Sequence, residues 1–122
     1  MTGESRRRAY GRGREAERLA SWWLRLKGYR ILSQRFRVPV GEIDLVARRG
    51  RILALVEVKA RSSLAAAGEA IGPHQRRRIE RAAALFLQRN PALAKLDLRF
   101  DAILLVPGRR PHHIEDAWRE GS

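Results

Sequence analysis

The stretch Gly41–Arg61 constrains this chain more than any other. It runs Gly-Glu-Ile-Asp-Leu-Val-Ala, then Arg-Arg-Gly-Arg, then Ile-Leu-Ala-Leu-Val-Glu-Val-Lys-Ala-Arg. The pattern predicts two strands joined by a tight basic turn at Gly50. The second, Ile52 to Val58, is apolar on both faces until Glu57 interrupts it, as expected of a strand in the middle of a sheet. Side chains alternate along a strand, so Glu57 and Lys59 share a face about 7 Å apart. Antiparallel pairing across the turn can bring Asp44 to the same rim. An Asp, a Glu and a Lys gathered at the edge of an apolar core need a chemical reason.

Charge supplies part of it. Lys and Arg number 26 against 13 Asp and Glu, a formal net charge of +13. Such an excess in 122 residues implies a polyanionic partner, nucleic acid first of all. A general preference for arginine would explain why only Lys27, Lys59 and Lys95 are lysines, but not the excess over acids. No apolar run approaches the roughly 18 residues of a membrane span, and no strongly basic helix carries an exposed aromatic face, so a membrane is not the expected partner. The chain has no cysteine, which excludes disulfides and thiolate metal sites. No signal-peptide pattern follows the N-terminal arginines, and a cytoplasmic location is expected.

The length suits one domain, expected over 13–122, preceded by a flexible basic arm over 1–12 that contains Arg6-Arg7-Arg8. From Arg14 to Lys27, Ala16, Leu19, Ala20, Trp23 and Leu24 fall at helical spacing, and Gly28 stands where a helix C-terminal glycine belongs. Trp22 lies off that stripe and marks a candidate interface. Tyr29–Val38 reads as a first strand, so three strands follow the helix as a meander. Ser62–Gly72 reads as a loop. A second helix opens at Pro73 and carries Ile79, Ala82, Ala83, Phe86 and Leu87 on one face. Arg76, Arg77, Arg78, Arg81 and Arg89 lie opposite and are candidates for phosphate contact. Leu96–Val106 reads as a fourth strand, and His113–Ala117 as a short edge strand.

Glu-Val-Lys by itself is commonly a structural ion pair. Asp44 and Glu57, with Glu42 or Glu15 as further candidates, outnumber Lys59, however, and carboxylates crowded near a core are costly. A divalent cation removes that cost: Mg²⁺ is typically held by one or two carboxylates, waters and substrate phosphate. In a basic protein, acids so placed would hold metal against a phosphate that the arginines bring in. Zinc is not expected, because His74, His112 and His113 lack ligand spacing. Ser62 and Ser63 have no nearby histidine base. Asp101 reads as a structural hydrogen-bond partner.

Gly41-Glu42-Ile43-Asp44, the turn, and Val56-Glu57-Val58-Lys59 resemble the core of the PD-(D/E)xK nuclease superfamily, with Ile43 where proline is usual. Nearly the whole chain resembles the small bacterial family of YraN type, itself similar to archaeal Holliday-junction resolvases. Gly13-Arg14-Glu15-Ala16, Gly28-Tyr29 and Arg99-Phe100-Asp101 belong to that match. The resemblance implies a restriction-endonuclease-like α/β fold, a mixed sheet of about five strands flanked by helices. It implies a Mg²⁺- or Mn²⁺-dependent endonuclease acting on DNA, branched or structured DNA included, and a homodimer. Asp44 and Glu57 would bind metal, Lys59 would assist the attacking water, and Glu15 would match the helix glutamate that completes the metal site. Two positions depart from the family: Arg35 stands where Asn is usual, and Gln75 where a helix lysine is common. Gln75 can still position a water or phosphate. With Arg35, Arg37 and Arg61, arginines 76, 77, 78 and 81 are the candidate nucleic-acid contacts. A non-catalytic nucleic-acid-binding protein that keeps this fold, or a structural partner in a larger nucleic-acid complex, are the readings from other classes.

Overall fold

A computed structural model describes residues 3–121, with side chains described from Gly13 onward. The elements in order are helix α1 (Gly3–Leu26), strands β1 (Arg30–Val38), β2 (Gly41–Arg49) and β3 (Ile52–Ala60), helices α2 (Leu64–Glu69) and α3 (Pro73–Arg89), then β4 (Asp97–Leu105) and β5 (His112–Trp118). A 3₁₀ turn at Pro91–Lys95 joins α3 to β4. The five strands form one sheet in sequence order, antiparallel except for the parallel β3–β4 pair. The parallel pair needs a crossover, and α2 with α3 provides it. This is a restriction-endonuclease-like α/β architecture.

Two cores lie on the two faces of the sheet. Ile43, Val46, Leu53 and Leu55 pack with Ile79, Ala82 and Phe86 of α3 on one face. Leu45, Ala54, Val56 and Ile103 pack with Ala16, Ala20 and Leu24 of α1 on the other. Residues 53–58 of β3 are all buried, which explains why its sequence shows no polar face. Near the start of β2 the sheet and α3 touch backbone to backbone. A Cβ on Gly41 would lie 1.8 Å from the Arg78 carbonyl oxygen, so only glycine lets α3 approach.

Helix α1 ends as expected. Gly28 at φ 90° closes it, with Tyr29 N–H donating to the Leu24 carbonyl and Gly28 N–H to that of Arg25. Its start differs from the expected boundary, because the helical backbone is described from Gly3; the side chains of the expected arm, 1–12, lie outside the described residues. Its buried stripe is also narrower than the spacing suggests. Ala16, Ala20 and Leu24 are buried, whereas Leu19 is exposed and Trp23 only half-buried. The expected loop at 62–72 contains α2. Six residues are too few to show a period, but Ser63 caps it, its Oγ accepting from Ala66 N–H at 3.1 Å. Among the described residues no helix is long and apolar enough to cross a membrane.

Candidate active site

The β2–β3 ladder runs from Arg49–Ile52 to Leu45–Val56 and ends there, while β3 stays paired with β4 as far as Ala60–Leu105. Beyond Leu45 the two strands part, and the Asp44 side chain does what the ladder no longer does: its Oδ2 accepts from Val58 N–H at 2.8 Å. Regular alternation also breaks at Asp44. Ile43 and Leu45, two residues apart, belong to opposite cores. The register that pairs Gln34 with Leu45 and Phe36 with Ile43 sets Arg35 opposite Asp44, and Arg35 has a left-handed φ of 54°. The fold thus turns the Asp44 carboxylate toward the end of β3.

Glu57 meets it there. Its side chain is only 3% exposed, with Gln75 Nε2 of α3 donating to Oε2 at 2.9 Å and Lys59 Nζ 3.9 Å from Oε1. Its pKa is pushed up to about 9, first by burial and then by the hydrogen bond and charge of Asp44. Gln75 and Lys59 pull the other way and lose. Two carboxyl groups thus face each other in one cleft, and burial beside Asp44 favours the protonated form of Glu57.

The cleft, about 380 Å³, is lined by Glu17, Glu42, Asp44 and Glu57 on the acidic side and Arg37, Lys59 and Arg61 on the basic side. Arg37 and Glu42, register partners on β1 and β2, pair with each other in its lining. Among the described residues no group of three or more His, Cys, Asp or Glu side chains converges closely enough to hold a metal ion. The paired acids still fit Mg²⁺ or Mn²⁺, because such ions bind through one or two carboxylates and complete their shell with water and phosphate oxygens. Glu57, raised in pKa by burial and by the neighbouring Asp44, belongs to a donor set whose cost a cation would relieve.

Asp44, Glu57, Lys59 and Gln75 come together as expected from the sequence. Glu15 does not join them. It is exposed and borders a separate hollow with Leu19, Leu105 and Pro107. Two residues are about 200° apart around a helix, so if Glu15 faces away, Glu17 faces the cleft. Glu17 lines it, half-buried and held by Arg35 Nε at 2.6 Å. Arg35 therefore stands beside the cleft, and Arg61 borders it directly. The α3 arginines divide. Arg77 and Arg81 are exposed and Arg78 half-buried beside Gly41. Arg76 turns back, its Nε donating to the Ile71 carbonyl at 3.2 Å and its guanidinium 5.7 Å from the Trp118 ring centre.

The family model of uncharacterised protein family UPF0102 matches residues 16–105. A UPF0102 protein of Parvibaculum lavamentivorans is 60% identical over 111 residues, 91% of this chain and 84% of the relative. One from Chelativorans is 53% identical over 93% of this chain and 92% of its own length, and one from Paramagnetospirillum magneticum 55% identical over 91% and 89%. The matched segment runs from the middle of α1 to the end of β4 and holds every residue of the carboxylate cleft from Ala16 onward, so the chain belongs to uncharacterised protein family UPF0102.

Proposed function

We propose that this protein is a Mg²⁺- or Mn²⁺-dependent endonuclease that hydrolyses phosphodiester bonds in DNA, branched or structured DNA included, and acts in the cytoplasm. One observation carries the reading: the buried Glu57 carboxyl faces Asp44, with its pKa pushed up to about 9, in a chain of net charge +13. Acids so costly to bury make sense where a cation and a phosphate meet.

Asp44 and Glu57 would hold the ion. When bound, it would polarise the phosphodiester and make a coordinated water more acidic. Asp44 is already oriented by the Val58 N–H, and Glu57 by Gln75. Lys59 would orient the attacking water and offset charge gathering on the phosphate oxygens. Arg61 and Arg37 border the approach, and Arg77, Arg78 and Arg81 would follow the backbone along α3. A homodimer would bury the exposed stripe of Leu19, Trp22 and Leu26 on α1, which stand at i, i+3 and i+7.

The rival reading, a nucleic-acid-binding protein without catalysis, draws on Glu17: its carboxylate is occupied by Arg35 instead of joining Asp44 and Glu57. Incubation of linear, flapped and four-way DNA, with RNA in parallel, in Mg²⁺ and in Mn²⁺ separates the two. Glu57→Ala should cut the cleavage rate by on the order of 10²–10³-fold or more, the scale of losing one electrostatic group at a reacting centre, while affinity holds or rises. No cleavage of any substrate, with equal metal-independent binding by both proteins, leaves the rival standing.

A further inference from the structure

Helix α1 carries a second stripe that the carboxylate cleft does not use. Arg14, Arg18, Ser21 and Arg25 stand at i, i+4, i+7 and i+11, one line along the helix. Gln34 and Arg35 of β1 complete the wall of a cavity of about 400 Å³ beside that line. Four guanidinium groups border it against a single carboxylate, Glu17. Arginine forks match phosphate oxygens in geometry as well as charge.

Ser21 is the independent clue. It lines this cavity, is only 3% exposed, and its Oγ has no hydrogen-bond partner among the described residues. A serine inside a helix ordinarily donates back to a carbonyl one turn earlier, and alanine would suit a buried helical position better. An orphaned hydroxyl in the wall of a cavity that arginines border is a donor awaiting an acceptor that the described residues do not supply. Glu17 lines this cavity and the carboxylate cleft alike, so the two share a wall.

We propose that the α1–β1 cavity holds a second phosphodiester of the bound nucleic acid, next along the backbone from the one delivered to Asp44 and Glu57. Arg18 and Arg25 supply the charge, and Ser21 Oγ donates to a phosphate oxygen. The inference rests on the nucleic-acid half of the proposed function and not on cleavage.

Fluorescence anisotropy of labelled duplex and four-way DNA, in EDTA and across salt concentrations, tests it. The double variant Arg18→Ala, Arg25→Ala should flatten the plot of log affinity against log salt by about one unit of slope or more, with affinity falling about tenfold at near-physiological salt. Ser21→Ala should keep or raise the melting temperature while weakening binding about threefold, the scale of one hydrogen bond. Arg51→Ala with Lys95→Ala removes the same charge at the opposite end of β3 and should leave the slope unchanged. Equal slopes for the two double variants overturn the proposal. Inorganic phosphate, followed through the amide signals of Ser21 and Gln34, separates the sources of the ligand: saturation by free phosphate that DNA fails to displace would also overturn it. If no metal supports cleavage yet the Arg18–Arg25 variant still loses affinity, the nuclease reading falls and this one stands.

Discussion

Glu57 on β3 and Asp101 on β4 are both buried carboxyl groups on neighbouring central strands, and their surroundings have opposite effects. Asp101 is fully enclosed, yet Arg99 binds it through Nε and a terminal nitrogen, both at 2.8 Å, His113 Nε2 lies at 2.8 Å, and Asp116 N–H donates at 3.0 Å. Burial pushes its pKa up, but His113, Arg99 and the Asp116 N–H outweigh burial and hold it below the ordinary value. Lys27 Nζ donates to His113 Nδ1, which leaves Nε2–H to point at Asp101. Asp101 in turn secures Arg99 in its charged form. Glu57 has one amide and one distant ammonium for partners, and a second carboxyl against it. A carboxylate whose every oxygen has a donor is part of the frame. One left facing another acid is arranged for a partner from outside.

The largest effect expected from breaking this contrast is at Asp101. Asp101→Asn leaves the half-buried Arg99 guanidinium with only Glu115, 3.8 Å away, as counter-charge, and leaves His113 and the Asp116 N–H to compete for a single amide oxygen. The cost should be about 3 kcal/mol in urea unfolding, with the metal dependence of any cleavage unchanged. A loss below about 1 kcal/mol would mean that Asp101 is not the anchor of β5.

The pH dependence should separate the two acids next. For Asp101, with a lowered folded-state pKa, the stabilising contribution is present above the unfolded value of 3.8 and is lost as the pH falls through the folded pKa. For Glu57, with a raised one, it is present below 4.5 and is lost as the pH rises toward about 9. Glu57→Gln keeps the shape and removes the charge, so in EDTA at pH 8 it should stabilise the protein by about 2 kcal/mol, against the usual direction for a buried substitution. Denaturation midpoints from pH 4 to pH 9 are the measurement. An alkaline limb of the same slope in both proteins would show that Glu57 is not held protonated by Asp44.

How far such an arrangement could be read beforehand depended on which features repeat along the chain. β3 was legible because an uninterrupted apolar run ending in Glu-Val-Lys has few other uses, and period two alone puts Glu57 and Lys59 on one face. The second helix was legible through Ile79, Ala82, Ala83 and Phe86. Helix α2 was not, since six residues rich in alanine show no period, and its one signal, Ser63, is a cap. On α1 the resemblance points to Glu15, while the side chain that lines the cleft is that of Glu17, two residues on around the helix. Arg76 looked like its neighbours in the basic run, but its step around the helix lays it against Trp118. The break at Asp44 had no signal in this chain's own residues, since nothing marks an arginine as left-handed until the backbone is seen; the asparagine usual at this position in the family is the one hint.

That arginine gives the smallest and most discriminating test. Arg35 holds φ at 54° opposite Asp44, a conformation that costs most side chains about 1–2 kcal/mol and that asparagine tolerates better. The family resemblance expects asparagine at this position, so the backbone alone is reason enough for it. Arginine adds an exposed ion pair with Glu17, and such pairs contribute about 0–1 kcal/mol. The two terms nearly cancel, and Arg35→Asn should shift stability by no more than about 0.5 kcal/mol in urea unfolding. Its effect should appear elsewhere. Glu17, released from the guanidinium, becomes a third carboxylate for the cleft, and Mn²⁺ affinity measured by calorimetry should rise severalfold while phosphate affinity at the α1–β1 cavity falls. Unchanged Mn²⁺ affinity would place Glu17 with Asp101, among the acids of the frame.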